Sequence, residues 1–201
     1  MSGASSTSTS KEYEKLCTRG CPPPASQGAT DPSDSKLLYH RRVRQVPMPP
    51  PAGWRMEIFE VVPHLLIGTR LASGTEYATL GVDVIVDLED WEWAWVPPVP
   101  LGKMYLSFPI DDGDEDEVDP KVRDVAQFIA SLIQSGRTVL VHCTEGLNRS
   151  GVVAARALMV MGRTADEAIH LVRQRRGLTV DGFPALGNEA FVGWLLSEES
   201  G

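Results

Sequence analysis

From Trp54 onward the apolar positions switch repeatedly between a period of two and a period near 3.6, so strands and helices alternate along the chain. Met56, Ile58 and Val61, followed by Leu65 to Ile67 across Pro63-His64, predict two short strands joined by a turn. Ser73-x-x-Glu76 has the form of a capping box opening a short helix that Gly81 closes. Val82 to Leu88 is β-branched and nearly continuous in apolar character, as a strand buried on both faces has to be. Beyond a Trp- and Pro-rich loop, a further strand is expected at Met104 to Phe108. Asp119-Pro120 supplies an N-cap and a first-turn proline. The helix they open carries Val122, Val125, Ala126, Ile129, Leu132 and Ile133 at i, i+3, i+4 spacing and stops before Gly136. Thr138 to Val141 predicts a second buried strand, after which the chain turns sharply into another helix. The alternation predicts an α/β domain with a central, mostly parallel sheet of four to five strands flanked by helices. In such sheets ligands bind at the carboxyl ends of the strands.

Composition narrows the setting. The 201 residues carry 27 acidic and 19 basic side chains, a formal net charge of −8. Nucleic-acid coats neutralise phosphates with clustered Lys and Arg, so nucleic acid is not an expected partner. No apolar run approaches the ~20 residues that cross a bilayer, so no membrane is expected either. Met1 to Ser10 is rich in Ser and Thr and lacks the apolar stretch of a secretory signal. Three cysteines, an odd number, do not make a disulfide scaffold and predict a reducing, cytoplasmic setting. Residues 1–53 hold 8 of the 15 prolines and, of aromatics, only Tyr13 and Tyr39. Such a segment buries too little apolar surface to offset its ordering entropy, and it is expected as a disordered tail. Residues 54–201, with 12 basic and 23 acidic side chains, are expected as one folded domain of net charge −11. No internal repeat is visible, and oligomeric state leaves no trace in the sequence.

Candidate chemistry lies where the parallel-sheet rule points, just past Val141. The segment reads His142-Cys143-Thr144-Glu145-Gly146-Leu147-Asn148-Arg149-Ser150-Gly151. A loop this short between a strand and a helix turns successive main-chain N–H groups inward as an anion cradle. Thr144, Glu145, Gly146, Leu147 and Asn148 would hold phosphate in this way. Gly146 permits a backbone conformation that a side chain resists. Arg149 closes the cradle with a planar fork able to grip two phosphate oxygens. Cys143 lies at its base, where inward amides and a helix N-terminus favour the nucleophilic thiolate. Ser150 is placed to donate its hydroxyl to the sulfur, and His142 is expected in a supporting role, orienting the loop through hydrogen bonds. A lone cysteine at a strand end is ordinarily just a small buried residue. The joint occurrence of His, Cys, Gly, Arg and Ser between a strand and a helix makes the nucleophile the better reading.

His-Cys-x5-Arg-Ser resembles the signature of the cysteine-dependent phosphatases, and the domain is similar to their dual-specificity protein phosphatase type. The resemblance runs from about Glu57 to Leu196 and takes in Ala168–Arg176 and Asn188–Leu196 as that family's C-terminal helices. It implies that residues 54–201 form a catalytic domain. Cys143 would attack phosphorus in line to form a phosphocysteine, which water hydrolyses with no metal and no cofactor. It also implies a general acid on the loop ahead of the long helix, here Phe108-Pro109-Ile110-Asp111-Asp112-Gly113-Asp114-Glu115-Asp116-Glu117. The match of Phe-Pro-Ile-Asp-Asp puts that acid on Asp112, with Asp111 second and Asp114 third. Asp116, Glu117 and Asp119 read as a solvated run favoured by the helix dipole. Crowded carboxylates raise one another's pKa, which would help to keep Asp112 protonated. The spacing does not fit a calcium loop of the EF-hand type.

The expected substrate is a phosphorylated protein, phosphotyrosine first, with phosphoserine and phosphothreonine left open. Glu145 inside the cradle and the acidic run should repel polyanions. Cys-Thr-x-Gly-x-Asn-Arg also resembles the loop of the metal-independent RNA 5′-triphosphatases, so that activity stands as an alternative which the net charge of −11 disfavours. A non-catalytic phosphopeptide-binding module and a rhodanese-like sulfur carrier are further alternatives. The first is at odds with the presence of nucleophile and acid together, and the second has no need of Ser150 or an upstream aspartate. The helix after the loop reads Arg156-Ala157-Leu158-Met159 where the family usually has Ala-Tyr-Leu-Met. Trp91 to Trp95 has no family counterpart and reads as an apolar flap. Arg173, Arg175 and Arg176 are expected as a solvated helix end. His40 to Arg44 reads as a basic cluster of the tail, and Cys17 with Cys21 makes too few ligands for zinc.

Overall fold

A computed structural model describes residues 56–72, 75–89, 96–112 and 118–199. The tail of residues 1–53, Ser73, Trp91 to Trp95, and Asp114 to Glu117 lie outside the described residues.

Among the described residues are five strands: β1 (Ile58–Val62), β2 (Leu65–Gly68), β3 (Val84–Asp87), β4 (Met104–Ser107) and β5 (Val139–His142). They form one sheet in the order β1-β2-β5-β3-β4. The hairpin pair β1 and β2 is antiparallel, and every other neighbour is parallel. The apolar runs of β3 and β5 stand where continuous apolar strands should, inside the sheet, with all eight residues buried. Their alternate side chains go to different cores, as the period of two demands. Val84, Val86, Val139 and Val141 join the large core, while Ile85 and Leu140 join a smaller cluster with Leu71, Tyr77 and Val82.

Among the described residues the large core is covered by four helices, α1 (Lys121–Gln134), α2 (Arg149–Val160), α3 (Ala165–Arg176) and α4 (Glu189–Glu198). The amphipathic run Val122 to Ile133 is α1, and the Asp119 carboxylate accepts the Lys121 N–H at 2.9 Å at its start. Helix α2 lies between α1 and α3. Its apolar and small residues, Ser150 to Ala155, Ala157 and Leu158, are buried on nearly all sides. Thr164 and Glu167 form a complete capping box on α3, and the Asn188 side chain accepts the Ala190 N–H on α4.

The helix expected from Ser73 is shorter than the pattern suggested. It is a single 3-10 turn at Tyr77–Leu80, with Glu76 at its N-cap and Gly81 closing it at φ 68°. Tyr77, buried in the smaller cluster and donating its hydroxyl to the Asp83 carbonyl, leaves room for only one turn before that glycine.

Candidate active site

The central strand β5 delivers the chain into the phosphate loop. Cys143, the residue after it, is 2% exposed, and its N–H donates to the Gly68 carbonyl at 3.3 Å, extending the β2–β5 pairing by one step. The loop closes on the buried Ser150, whose Oγ is 3.4 Å from Cys143 Sγ. Gly146 is required twice over. Its φ is 66°, and a Cβ built there would sit 2.8 Å from the Gly68 carbonyl carbon and 2.9 Å from its oxygen.

Arg176, at the end of α3, was expected in solvent with Arg173 and Arg175; the structure buries it to 6% exposure. Its guanidinium donates to the carbonyls of Glu145 and Gly146, both at 3.2 Å, lies 3.4 Å from a Glu57 carboxylate oxygen, and stacks 4.2 Å from the Phe59 ring centroid. In a planar peptide the N–H points opposite the C=O. By holding two carbonyls outward, Arg176 turns the N–H groups of Gly146 and Leu147 toward the cradle. Arg173 is likewise engaged, donating to the carbonyls of Ala185 and Leu186 at 3.3 and 2.8 Å. Arg173 and Arg175 are both exposed, as the solvated reading expects, and Arg176 alone of the three is buried, because a charged stem with carbonyls in reach loses less by leaving water than one without.

Arg149 begins α2 and is held from behind. Its Nη2 donates to Thr144 Oγ1 at 2.7 Å, and the Thr144 hydroxyl donates to Glu89 Oε1 at 2.8 Å. Glu89, 1% exposed, is charge-paired to Arg70 at 2.7 Å. Asp87, at the end of β3, accepts the Glu89 N–H at 2.9 Å and the Tyr105 hydroxyl at 2.6 Å. Burial raises the Asp87 pKa, against the pull of those donors and of nearby arginines. The sequence reading missed Arg70, Asp87, Glu89 and Tyr105. The signal was there in Val84-Ile85-Val86-Asp87-Leu88-Glu89, where acids interrupt a run otherwise fit for full burial.

His142 departs from its expected role. It is buried at 1% exposure, and both ring nitrogens lack a hydrogen-bond partner; Nε2 is 3.7 Å from Asp87 Oδ1. Burial pushes its pKa down to about 4, so the ring is neutral near pH 7. Its support of the site is main-chain: the His142 carbonyl accepts the Leu88 N–H at 3.0 Å, locking β5 to the end of β3. Asp87, Glu89 and His142 bring three potential metal-ligand atoms within 4.8 Å of one another. The two carboxylates are already engaged by Arg70, Thr144, Tyr105 and a main-chain N–H, and the cluster acts as a hydrogen-bonded brace beneath the loop.

Asp112 faces Arg149 across the mouth of the cradle, with Oδ2 3.7 Å from Nε. Its pKa is raised, first by burial and then by the charges of Asp111 and Glu145, and Arg149 and a hydrogen bond from Asn148 oppose the shift. Asp111 is exposed beside it. Asn148 reaches the other wall of the site, its Oδ1 accepting the Asn188 N–H at 3.2 Å. Thr144, Leu147, Asn148, Arg149 and Ser150 lie on the turn from β5 into α2 that follows Cys143, and Glu145 on the same turn is exposed.

A mostly parallel sheet whose central strand runs into a cysteine and a short loop with an arginine at a helix N-terminus defines a cysteine-centred α/β domain, with the loop at the carboxyl end of the strands where such sheets bind ligands. Comparison with known proteins makes the family specific. The family model described as the dual specificity phosphatase catalytic domain matches residues 69–199, and the chain belongs to that family. Human dual specificity protein phosphatase 1 is 33% identical over 145 residues, covering 70% of this chain and 37% of that protein. Dual specificity protein phosphatase 1-A of Xenopus laevis is 30% identical over the same length, with the same two coverages. The chain therefore spans little more than a third of the length of these relatives. The crystal structure of human DUSP28 has the same fold, at a TM-score of 0.56 and 24% identity, covering 77% of this chain and 96% of that one.

Proposed function

We propose that the chain is a protein phosphatase that hydrolyses phosphotyrosine, and phosphoserine and phosphothreonine where the cradle admits them, through a phosphocysteine. The observation that carries this reading is that Ser150 Oγ lies 3.4 Å from Cys143 Sγ, while Arg149 of the same loop lies 3.7 Å from the Asp112 carboxyl, which comes in from the segment after β4. Cys143 attacks phosphorus in line, while loop amides and the Arg149 fork hold the non-bridging oxygens. Asp112, whose pKa is raised first by partial burial, gives its proton to the departing oxygen. The S–P bond formed by Cys143 is then broken by water, which Asp112, now a base, deprotonates. Ser150 donates to the sulfur as it leaves. Protein groups meet every developing charge, so no step calls for a metal or a cofactor. The working compartment is the cytoplasm, where the Cys143 thiol stays reduced.

Turnover of p-nitrophenyl phosphate tests the reading. It is expected to be blocked by vanadate and unaffected by EDTA. Cys143→Ser should abolish it, and Asp112→Ala should lower it by about 10²–10⁴-fold. Vanadate-insensitive turnover, or full activity in Cys143→Ser, overturns the assignment. A phosphopeptide reader or a sulfur carrier gives no turnover at all.

A further inference from the structure

Beside the cradle runs a groove of about 690 Å³ whose lining includes Asp112, Glu145, Asn148, Phe183, Pro184 and Glu189. That volume exceeds what a phosphate needs and lies in the range of sites that enclose larger ligands. Among its described lining residues stand three carboxylates and no Lys, Arg or His. In the sequence Asp112 is followed by Asp114, Glu115, Asp116 and Glu117, and residues 54–201 carry a net charge of −11. The cationic groups of the site are deep, at Arg149 and the loop amides; the rim is anionic.

The far wall of the groove is held by main-chain and side-chain hydrogen bonds. Leu178 bridges to Pro184, the Thr179 N–H donates to the Phe183 carbonyl, and the Phe183 N–H donates to Thr179 Oγ1, both at 2.9 Å. The Leu186 N–H donates to the Leu147 carbonyl at 3.3 Å, and Arg173 holds the carbonyls of Ala185 and Leu186, so the wall is tied to the phosphate loop itself. Phe183 remains 63% exposed at its crest.

We infer that this groove selects phosphoprotein segments in which Lys or Arg flanks a single phosphorylated residue, with an apolar side chain resting on Phe183. The inference rests on the phosphatase reading and names its substrate class. A phosphate alone is drawn to the base of the cradle, but a neighbouring phosphate or carboxylate must sit against Asp112, Glu145 and Glu189. A neighbouring ammonium or guanidinium pairs with the same three carboxylates. An anionic rim thus rejects polyanions, multiply phosphorylated segments and RNA ends, and attracts basic segments.

The test is binding to the Cys143→Ser protein, full chain, by fluorescence anisotropy, and turnover by the wild type. The probes are two phosphotyrosine peptides that differ only in Lys or Glu at the positions flanking the phosphoresidue. The Lys peptide is expected to bind on the order of tenfold tighter, with the difference collapsing in about 1 M NaCl, where charges are screened beyond about 3 Å. Glu189→Lys should shrink the ratio several-fold and leave turnover of p-nitrophenyl phosphate unchanged. Phe183→Ala should weaken both peptides and leave their ratio alone. Equal binding of the two peptides, tighter binding of the Glu peptide, or tighter binding of a 5′-triphosphorylated oligoribonucleotide overturns the inference. Binding is read without catalysis, so an absence of turnover in the wild type counts against the phosphatase reading and leaves the binding ratio to decide this one.

Discussion

Asp112 sits between opposing forces: burial and the charges of Asp111 and Glu145 favour its protonated form, and Arg149 and Asn148 favour the carboxylate. The first set wins, so the acid form persists to higher pH than an ordinary aspartate allows. As a proton donor Asp112 is active below its own pKa and lost above it. For a phenyl phosphate with a leaving group of high pKa, kcat should therefore fall on the alkaline side of its optimum as Asp112 ionises. Asp112→Asn should lower the plateau and remove that descending limb, which a pH–rate profile reads directly. An unchanged limb in the variant would assign the titration to another group.

Between elements, the loop owes its shape to helices that the sequence places far away. Arg176 reaches from the end of α3 to two carbonyls of the cradle, across thirty residues of chain. Arg176→Met should leave the Glu145 and Gly146 carbonyls unheld and their amides misaligned, weakening vanadate binding by roughly tenfold, since small errors of position cost that much or more. Arg176→Lys, with one donor group in place of a fork, should fall between the variant and the wild type. Vanadate inhibition constants measure both. A second tie joins three helices: Glu198 of α4 pairs with Arg123 of α1 at 2.6 Å and with Arg156 of α2 at 3.4 Å. Arg156 thus ties α2 to α4 by charge, away from the chemistry.

In the molecule as a whole, the centre of the sheet carries titratable groups that the chemistry does not consume. Burial lowers the His142 pKa from 6.5 to about 4, so the folded protein keeps it neutral where the unfolded chain protonates it. That stability is fully present above pH 6.5 and is lost as the pH falls from 6.5 through 4. Asp87 works the other way, because its raised pKa makes the folded state take up a proton before the unfolded one does. It offsets part of the loss at the low end of that window. Denaturant unfolding at several pH values should show stability falling through this window, and His142→Leu should flatten the fall. A variant as acid-sensitive as the wild type would shift the cause elsewhere.

The strands, the long amphipathic helix and the Cys143–Ser150 loop were legible in the sequence, because periodicity and short motifs are local properties of the chain. Order in the sheet was not, and neither was the brace of Arg70, Glu89 and Thr144 behind Arg149. Arg176 shows the difference most clearly. At a helix end its charge reads as solvated, and only the approach of α3 to the phosphate loop supplies the two carbonyls that make its burial favourable. His142 erred in the opposite sense, since a polar ring beside the nucleophile suggests hydrogen bonds that the packed sheet does not provide. What the sequence determined by itself was where the strands and helices lie and which residues are candidates for chemistry. What tertiary structure decided was which charges and carbonyls meet them, because desolvation and pairing depend on neighbours distant along the chain.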